Sequence, residues 1–251
     1  MNQYQIPNLV KACEILRLLA GCREGISANN LEARVDIPRT TAFRILKTLC
    51  SVGMAEKRGS LYFSGPGLVQ IGLNSLHSVE IRSLSIPYLR DLAMQAGLTA
   101  HLAIPSGQQS LILEVHDSPH PVRVASRPGT TVPLHCSSTG KVFLAYCYED
   151  RIAEYFSQTS FTKFTDRTIV SLETMRLEIE QIKSNGYAVD DHEFHENVYC
   201  VAAPVRDSSG RVVAAIGVTG PSMQLSRENK SHISHLVKES ANQLSTVMGY
   251  Q

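Results

Sequence analysis

The sequence predicts an α+β protein in two parts: an N-terminal winged helix-turn-helix, all-α with a small β wing, and a larger sensor-like α+β domain beyond a linker helix. Three observations carry this. Residues 27–53 read as two short helices joined by a tight Asp36-Ile37-Pro38 turn. A hairpin pattern with a Gly-containing turn follows at once. Beyond Gly97 the apolar period changes from 3.6 to 2, with helical patterns on either side of the strands.

Taken in order, Leu9, Cys13, Leu16 and Ala20 form one stripe and predict a helix over about 9–20. Gly21 and Gly25 end it, and Ser27 is placed to cap the next helix. The second helix of the pair has an apolar side of Ala42, Ile45, Leu46 and Leu49. Its other side carries Thr40, Arg44, Lys47 and Thr48, with Arg39 and Thr41 at its start. A helix anchored by its apolar side, with cations and hydroxyls outward, suits the DNA major groove. Gly53 stands where a C-cap belongs. Residues 54–57 and 61–64 then bracket Arg58-Gly59-Ser60 as a wing, whose Lys57 and Arg58 are placed for phosphates or the minor groove.

Gly65-Pro66-Gly67 breaks the chain before Leu68, Ile71, Gly72, Ser75 and Leu76, a linker helix. A helix over 82–95 follows, despite Pro87. Strands are predicted at 99–104, 110–116 and 122–126, and helices at 140–148 and 172–185. Further strands at 187–191, 198–207 and 211–219 precede a final helix over 227–248. Asp207-Ser208-Ser209-Gly210 between two apolar runs marks a hairpin. The expected domains are 1–65, the linker helix 66–80, and 81–251.

Composition agrees with a globular, cytoplasmic protein: 43% of the 251 residues are hydrophobic and 19% charged. No signal peptide pattern and no apolar run of about 20 residues is present, so no membrane partner is expected. The six cysteines are scattered without a Cys-x-x-Cys pair, as expected of reduced thiols. Residues 1–65 hold nine Lys/Arg against five Asp/Glu, whereas the remainder holds fifteen against eighteen. A basic head on a mildly acidic body is expected where only the head meets phosphate.

The chain resembles the IclR family of bacterial transcription regulators over nearly its whole length. The run from Asp36 to Leu49, ending at Gly53, is similar to that family's helix-turn-helix. Pro133-Leu134-His135 followed by Thr139-Gly140-Lys141 is similar to its Pro-Leu-His…Gly-Lys segment. Gly186-x3-Asp190-x2-Glu193-x6-Cys200-Val201-Ala202-x2-Val205 resembles its signature, departing at Arg206, where an aromatic residue or His is usual. The resemblance implies a C-terminal effector-binding domain related to GAF domains, with an antiparallel sheet. It also implies homodimers, or dimers of dimers, on double-stranded operator DNA, and it inclines toward repression of a catabolic operon.

The resemblance also implies an effector pocket made by Ser138, Thr139 and Gly140, by Asp190 and Cys200, and by Gly217 and Thr219, with Val122 and Val124 as an apolar wall. Characterised members can carry hydroxyl residues at the last two strand positions, so Gly217 implies a lost hydrogen bond or a larger pocket. Backbone amides at a helix start, one carboxylate and several hydroxyl or thiol groups suit a small hydroxylated or keto acid.

Other chemistry finds little support. His135, Cys136, His192, His195 and Cys200 lack metal-ligand spacing, so neither a metal nor another cofactor is expected. Residues 136–141 lack the first Gly of a phosphate loop, and there is no Gly-x-Ser-x-Gly elbow. An enzyme or storage protein with a vestigial helix-turn-helix would show a flat salt response and metabolite turnover. A constitutive DNA binder with an empty sensor core would show no acid-induced stabilisation.

Overall fold

A computed structural model describes residues 5–77, 79–158, 161–224 and 227–250. The chain divides into two compact units, one up to Val79 and the other from Glu80.

The first unit opens with α1 (Pro7–Gly21), where proline stands at the helix start and its fixed φ is already helical. A short strand, β1 (Ile26–Ser27), leads into α2 (Ala28–Val35), and the Ser27 hydroxyl accepts the Asn30 N–H at 3.3 Å. At the other end of α2 the Lys11 ammonium of α1 donates to the Val35 carbonyl at 2.8 Å, satisfying one of its last acceptors. Asp36 then turns the chain with φ 51°, and Pro38 leads into α3 (Arg39–Ser51).

Ala42, Ile45, Leu46 and Leu49 of α3 are buried against Ile15 and Leu19 of α1 and Leu31 and Val35 of α2. The wing is β2 (Ala55–Arg58) with β3 (Leu61–Ser64), antiparallel, and β1 adds a third strand on the free edge of β3 with Ile26 opposite Tyr62. That two-residue strand is too short to leave a period in the sequence. Next comes α4 (Pro66–His77), which starts within the Gly65-Pro66-Gly67 break, because proline lacks only an N–H that would be unpaired there.

The second unit starts with α5 (Glu80–Ala96), which runs through Pro87. That residue is exposed, so the carbonyl it leaves without a helical donor can face water. Strands β4 (Thr99–Ser106) and β5 (Gln109–His116) form a hairpin, and β6 (Thr131–Pro133) adds to the far side of β5. Residues 122–126 are not a strand, contrary to their alternating pattern. Val122 is 62% exposed, and the Val124 carbonyl is taken by the Thr99 hydroxyl at 3.0 Å instead of a ladder partner. The pairing falls to Thr131–Pro133, opposite Gln109–Leu111.

Helix α6 (Ser138–Tyr146), the short α7 (Ile152–Gln158, not foreseen from the sequence) and α8 (Leu172–Asn185) precede β7 (Ala188–Asp191), β8 (Val198–Arg206), β9 (Val212–Pro221) and α9 (Arg227–Val247). The six strands are wholly antiparallel in the order β6-β5-β4-β9-β8-β7. Because β9 returns to lie beside β4, the two halves of the domain join at the sheet centre. Helices α5 and α9 pack together on one face. On the other, α6 and α8 cover Ala103, Ala202 and Ala215 with Phe143, Leu144, Met175 and Ile182. Small strand residues beneath large helical ones let that layer sit close.

Candidate functional site

Each unit carries one candidate site. On the first, α3 presents Arg39, Thr40, Arg44, Lys47 and Thr48 to solvent, with Thr41 half-buried. Among the described residues none of the Arg39, Arg44 and Lys47 side chains makes a hydrogen bond or an ion pair. Three unneutralised cations on one short helix make a local positive field suited to phosphate. The Thr48 hydroxyl donates to the Arg44 carbonyl at 2.9 Å, which leaves its oxygen as an acceptor outward. The wing differs. Arg58 is held by Glu56 at 2.7 Å and lies 4.9 Å from the Phe63 ring, so its charge is locally answered. Lys57 sits over Tyr62, 5.6 Å from the ring centre, and forms no ion pair among the described residues. Sequence reading missed Phe43, which is 54% exposed on the same outward side of α3. Its period signal was hidden because an aromatic in a helix usually marks the core.

On the second unit a cavity of about 230 Å³ opens between the sheet and the start of α6. Strand register explains its inner wall. Asp190 stands opposite Cys200, Cys200 opposite Thr219, and Thr219 opposite Thr99, so one cross-strand row spans four strands. Directly paired residues share a face, and Asp190, Cys200 and Thr219 all line the cavity. The Cys200 thiol meets the Thr219 hydroxyl at 3.1 Å, and burial pushes its pKa up, so it is no thiolate nucleophile. Asp190 Oδ1 accepts the Glu193 N–H at 2.8 Å and the Phe194 N–H at 3.3 Å. Burial still pushes that carboxyl up to about 6, against those two N–H groups and Lys141.

The facing wall is the N-terminus of α6. Its cap is Ser137, whose hydroxyl accepts the Gly140 N–H at 3.1 Å and donates to Pro133 O at 2.6 Å. Ser138 and Thr139 are therefore the first helical residues, not the cap. The Thr139 hydroxyl pairs with that of buried Ser110 at 2.8 Å. Among the described residues the Ser138 and Thr139 N–H groups have no acceptor, although both residues are buried. Two such donors at a helix start, backed by the helix dipole, form an anion seat. Ile112, Val132 and Phe194 supply apolar wall, while Arg127, bonded to Ser126 O at 2.8 Å, stands at the rim.

Of the residues expected to form the pocket, Val124, Ser138, Thr139, Asp190, Cys200 and Thr219 line the cavity, and Val122, Gly140 and Gly217 do not. Val122 is turned to solvent. Gly140 serves packing, since a Cβ there would lie 2.5 Å from the Leu134 Cα. Gly217 lies against β8, where a Cβ would fall 2.3 Å from the Val201 carbonyl oxygen; its missing side chain is a matter of strand contact and adds nothing to the cavity. His101, Ser137, Arg127 and Phe194 line the cavity unforeseen. His101 gave no signal because its strand is buried on both faces, so no alternation singles out one side.

Behind Asp190 lies a buried charge cluster. The Lys141 ammonium, 1% exposed, touches Glu193 Oε1 at 2.5 Å and Glu178 Oε1 at 2.7 Å. Burial favours losing its proton, but the two carboxylates outweigh burial and hold the ammonium charged. Burial pushes Glu193 up to about 7 despite Lys141. In the folded state Glu193 thus keeps its proton to higher pH than in the unfolded chain. The stability it contributes is full below pH 4.5, its ordinary value, and is lost as pH rises through about 7. Glu193→Gln is expected to flatten that decline in the urea midpoint. Asp190, pushed up to about 6, declines in the same sense at lower pH in both proteins, and His101, lowered by burial to about 4, acts in the opposite sense in both, so the difference between the two curves is what reports Glu193.

No group of three or more His, Cys, Asp or Glu poised for a metal ion occurs among the described residues, and no described helix is long and apolar enough to cross a membrane.

Comparison with known proteins identifies both domains. The IclR helix-turn-helix domain matches residues 8–59, and the bacterial transcriptional regulator IclR C-terminal domain matches residues 73–246. The HTH-type transcriptional repressor AllR of Escherichia coli K12 is 29% identical over 243 residues, covering 96% of this chain and 90% of that protein. Thermotoga maritima IclR superposes with a TM-score of 0.72 at 26% identity, over 98% of this chain and all of that one, 100%. An IclR homolog from Microbacterium hydrocarbonoxydans, complexed with 4-hydroxybenzoate, gives 0.81 at 21% identity, covering 96% and 98% of the two chains. With both of its domains matched, one presenting an exposed cationic helix and the other a cavity, this chain belongs to the IclR family, whose members are DNA-binding transcriptional regulators and not enzymes.

Proposed function

We propose that this regulator is a repressor whose hold on operator DNA is set by a small hydroxylated or keto acid in the C-terminal cavity. The observation that carries the reading is the pair of unaccepted N–H groups of Ser138 and Thr139, facing the Asp190–Cys200–Thr219 row across about 230 Å³. A carboxylate seated on those donors gains charge-assisted hydrogen bonds, and the opposite row orients the rest of the molecule. Repression is supported by the E. coli relative's name, and the Microbacterium homolog's hydroxylated aromatic acid agrees with the ligand class. The reading places the protein in the cytoplasm with its DNA.

A second copy of the chain is part of the proposal. One head of this size makes few base contacts, and two linked heads multiply affinity through effective concentration. Ile6 just before α1, Leu9 on it, and Val69, Ile71 and Leu73 on α4 are each more than half exposed, and apolar side chains of this size suit a partner's helices. As the linker, α4 would carry the ligand's effect to the heads. A tenfold change in operator affinity needs about 1.4 kcal/mol of differential ligand binding between the two poses.

The test is direct. Duplexes are enriched on the protein from a random pool, and their affinity is followed through a salt series. Log affinity should fall linearly with log salt, and Arg44→Ala should cost about 1–3 kcal/mol on the enriched duplex. An Arg44→Ala protein that binds that duplex as the parent does would remove α3 from the interface.

A further inference from the structure

The His101 side chain is 5% exposed, lies in the cavity wall, and makes no hydrogen bond among the described residues. Its Nδ1 is fully buried without a partner. Native structures seldom leave a buried polar group unsatisfied, and Nε2, which is not sealed in as Nδ1 is and has no partner among the described residues, leaves the cavity the ring lines as the place where a partner can sit. On one side His101 pairs with Gly217, which has no side chain, and on the other with Val115, so no polar group stands directly across from it on either strand. Burial also keeps the imidazole neutral, lowering its pKa to about 4, so at neutral pH it offers one N–H donor and one acceptor and no charge.

The cavity thus contains two unsatisfied elements of different kinds. The start of α6 offers N–H donors to an anion, and His101 offers a neutral hydrogen-bonding edge. A plain aliphatic acid answers only the first. We infer that His101 is the residue that selects the effector, by bonding a hydroxyl or keto oxygen carried by the acid. The inference rests on the acid-effector reading above and adds to it the residue and the functional group that discriminate.

The experiment uses the full chain and matched three- and four-carbon acids: propionate, lactate and pyruvate, then butyrate, 2-hydroxybutyrate and 2-oxobutyrate. Affinities are measured by titration calorimetry, with thermal shift as a second readout. The parent protein should bind at least one oxygenated acid about tenfold more tightly than its deoxy partner, the worth of one well-made hydrogen bond. His101→Phe should erase that preference while leaving the deoxy acid's affinity within about twofold. His101→Gln, which keeps a donor and an acceptor, should restore part of it and guards against a phenylalanine that fails to pack. A preference that survives His101→Phe, or an equal loss for oxygenated and deoxy acids in both variants, overturns the role of His101 alone. A parent protein that binds none of the six at millimolar concentration overturns the acid-effector reading, and this inference with it.

Discussion

Lys141→Ala is expected to destabilise the protein by about 3–5 kcal/mol, the usual cost of stripping one partner from a buried ion pair. The ammonium is 1% exposed and is the charge that offsets Glu193 and Glu178, whose side chains are 8% and 23% exposed. Without it, two carboxylates lie close together in a poorly solvated pocket, with Asp190 beyond. Chain stability is a small difference between large terms, so a loss of this size removes much of it. The chain has no tryptophan, so the urea transition is followed by far-ultraviolet circular dichroism. The double replacement Lys141→Met with Glu193→Leu should cost less than Lys141→Ala, because a pair removed together leaves no orphan between them. If the single variant lost under about 1 kcal/mol, Lys141 would have to behave as a surface pair does, and the buried cluster would not be what seats the strand bearing Asp190.

That cluster also shows where sequence reasoning stops. Gly140-Lys141 and Asp190…Glu193…Cys200 stand out as a family pattern, yet nothing in the pattern says that Lys141 meets Glu193 across 52 positions. Pairings of that span depend on the order in which strands enter the sheet, and β9 reaching back to β4 is a tertiary fact. The helix-turn-helix is different. Ala42, Ile45, Leu46 and Leu49 repeat at helical spacing within one element, so both the buried side and the basic side are local properties. Residues 122–126 misled because alternation records only where a strand is compatible, and here the adjoining segment took the ladder. Gly217 misled in another way. It sits in the cavity-facing row pattern, but close contact with the β8 backbone is what requires glycine there.

Leu46→Ala in α3 is expected to abolish DNA binding without touching a single outward-facing side chain of that helix. Leu46 is fully buried, 0% exposed, and packs in the small core that also contains Ile15, Leu19 and Leu31. Truncating such a leucine costs about 2–5 kcal/mol, because the lost transfer energy adds to the cavity left behind. A unit of this size has little stability in reserve, since small domains bury a smaller fraction of their surface. The cations Arg39, Arg44 and Lys47 point outward only while Ala42, Ile45 and Leu49 hold the opposite side of the same helix. The second unit has its own core around Phe143, Met175 and Ile182, and no part of that core is altered. Two urea transitions should therefore separate in the variant, the first at low denaturant and accompanied by loss of duplex binding. Stabilisation of the second transition by an acid that protects the parent should persist. If Leu46→Ala kept full duplex affinity, the positioning of α3 would not depend on its buried side, and the link from apolar period to DNA interface would fail at its first step.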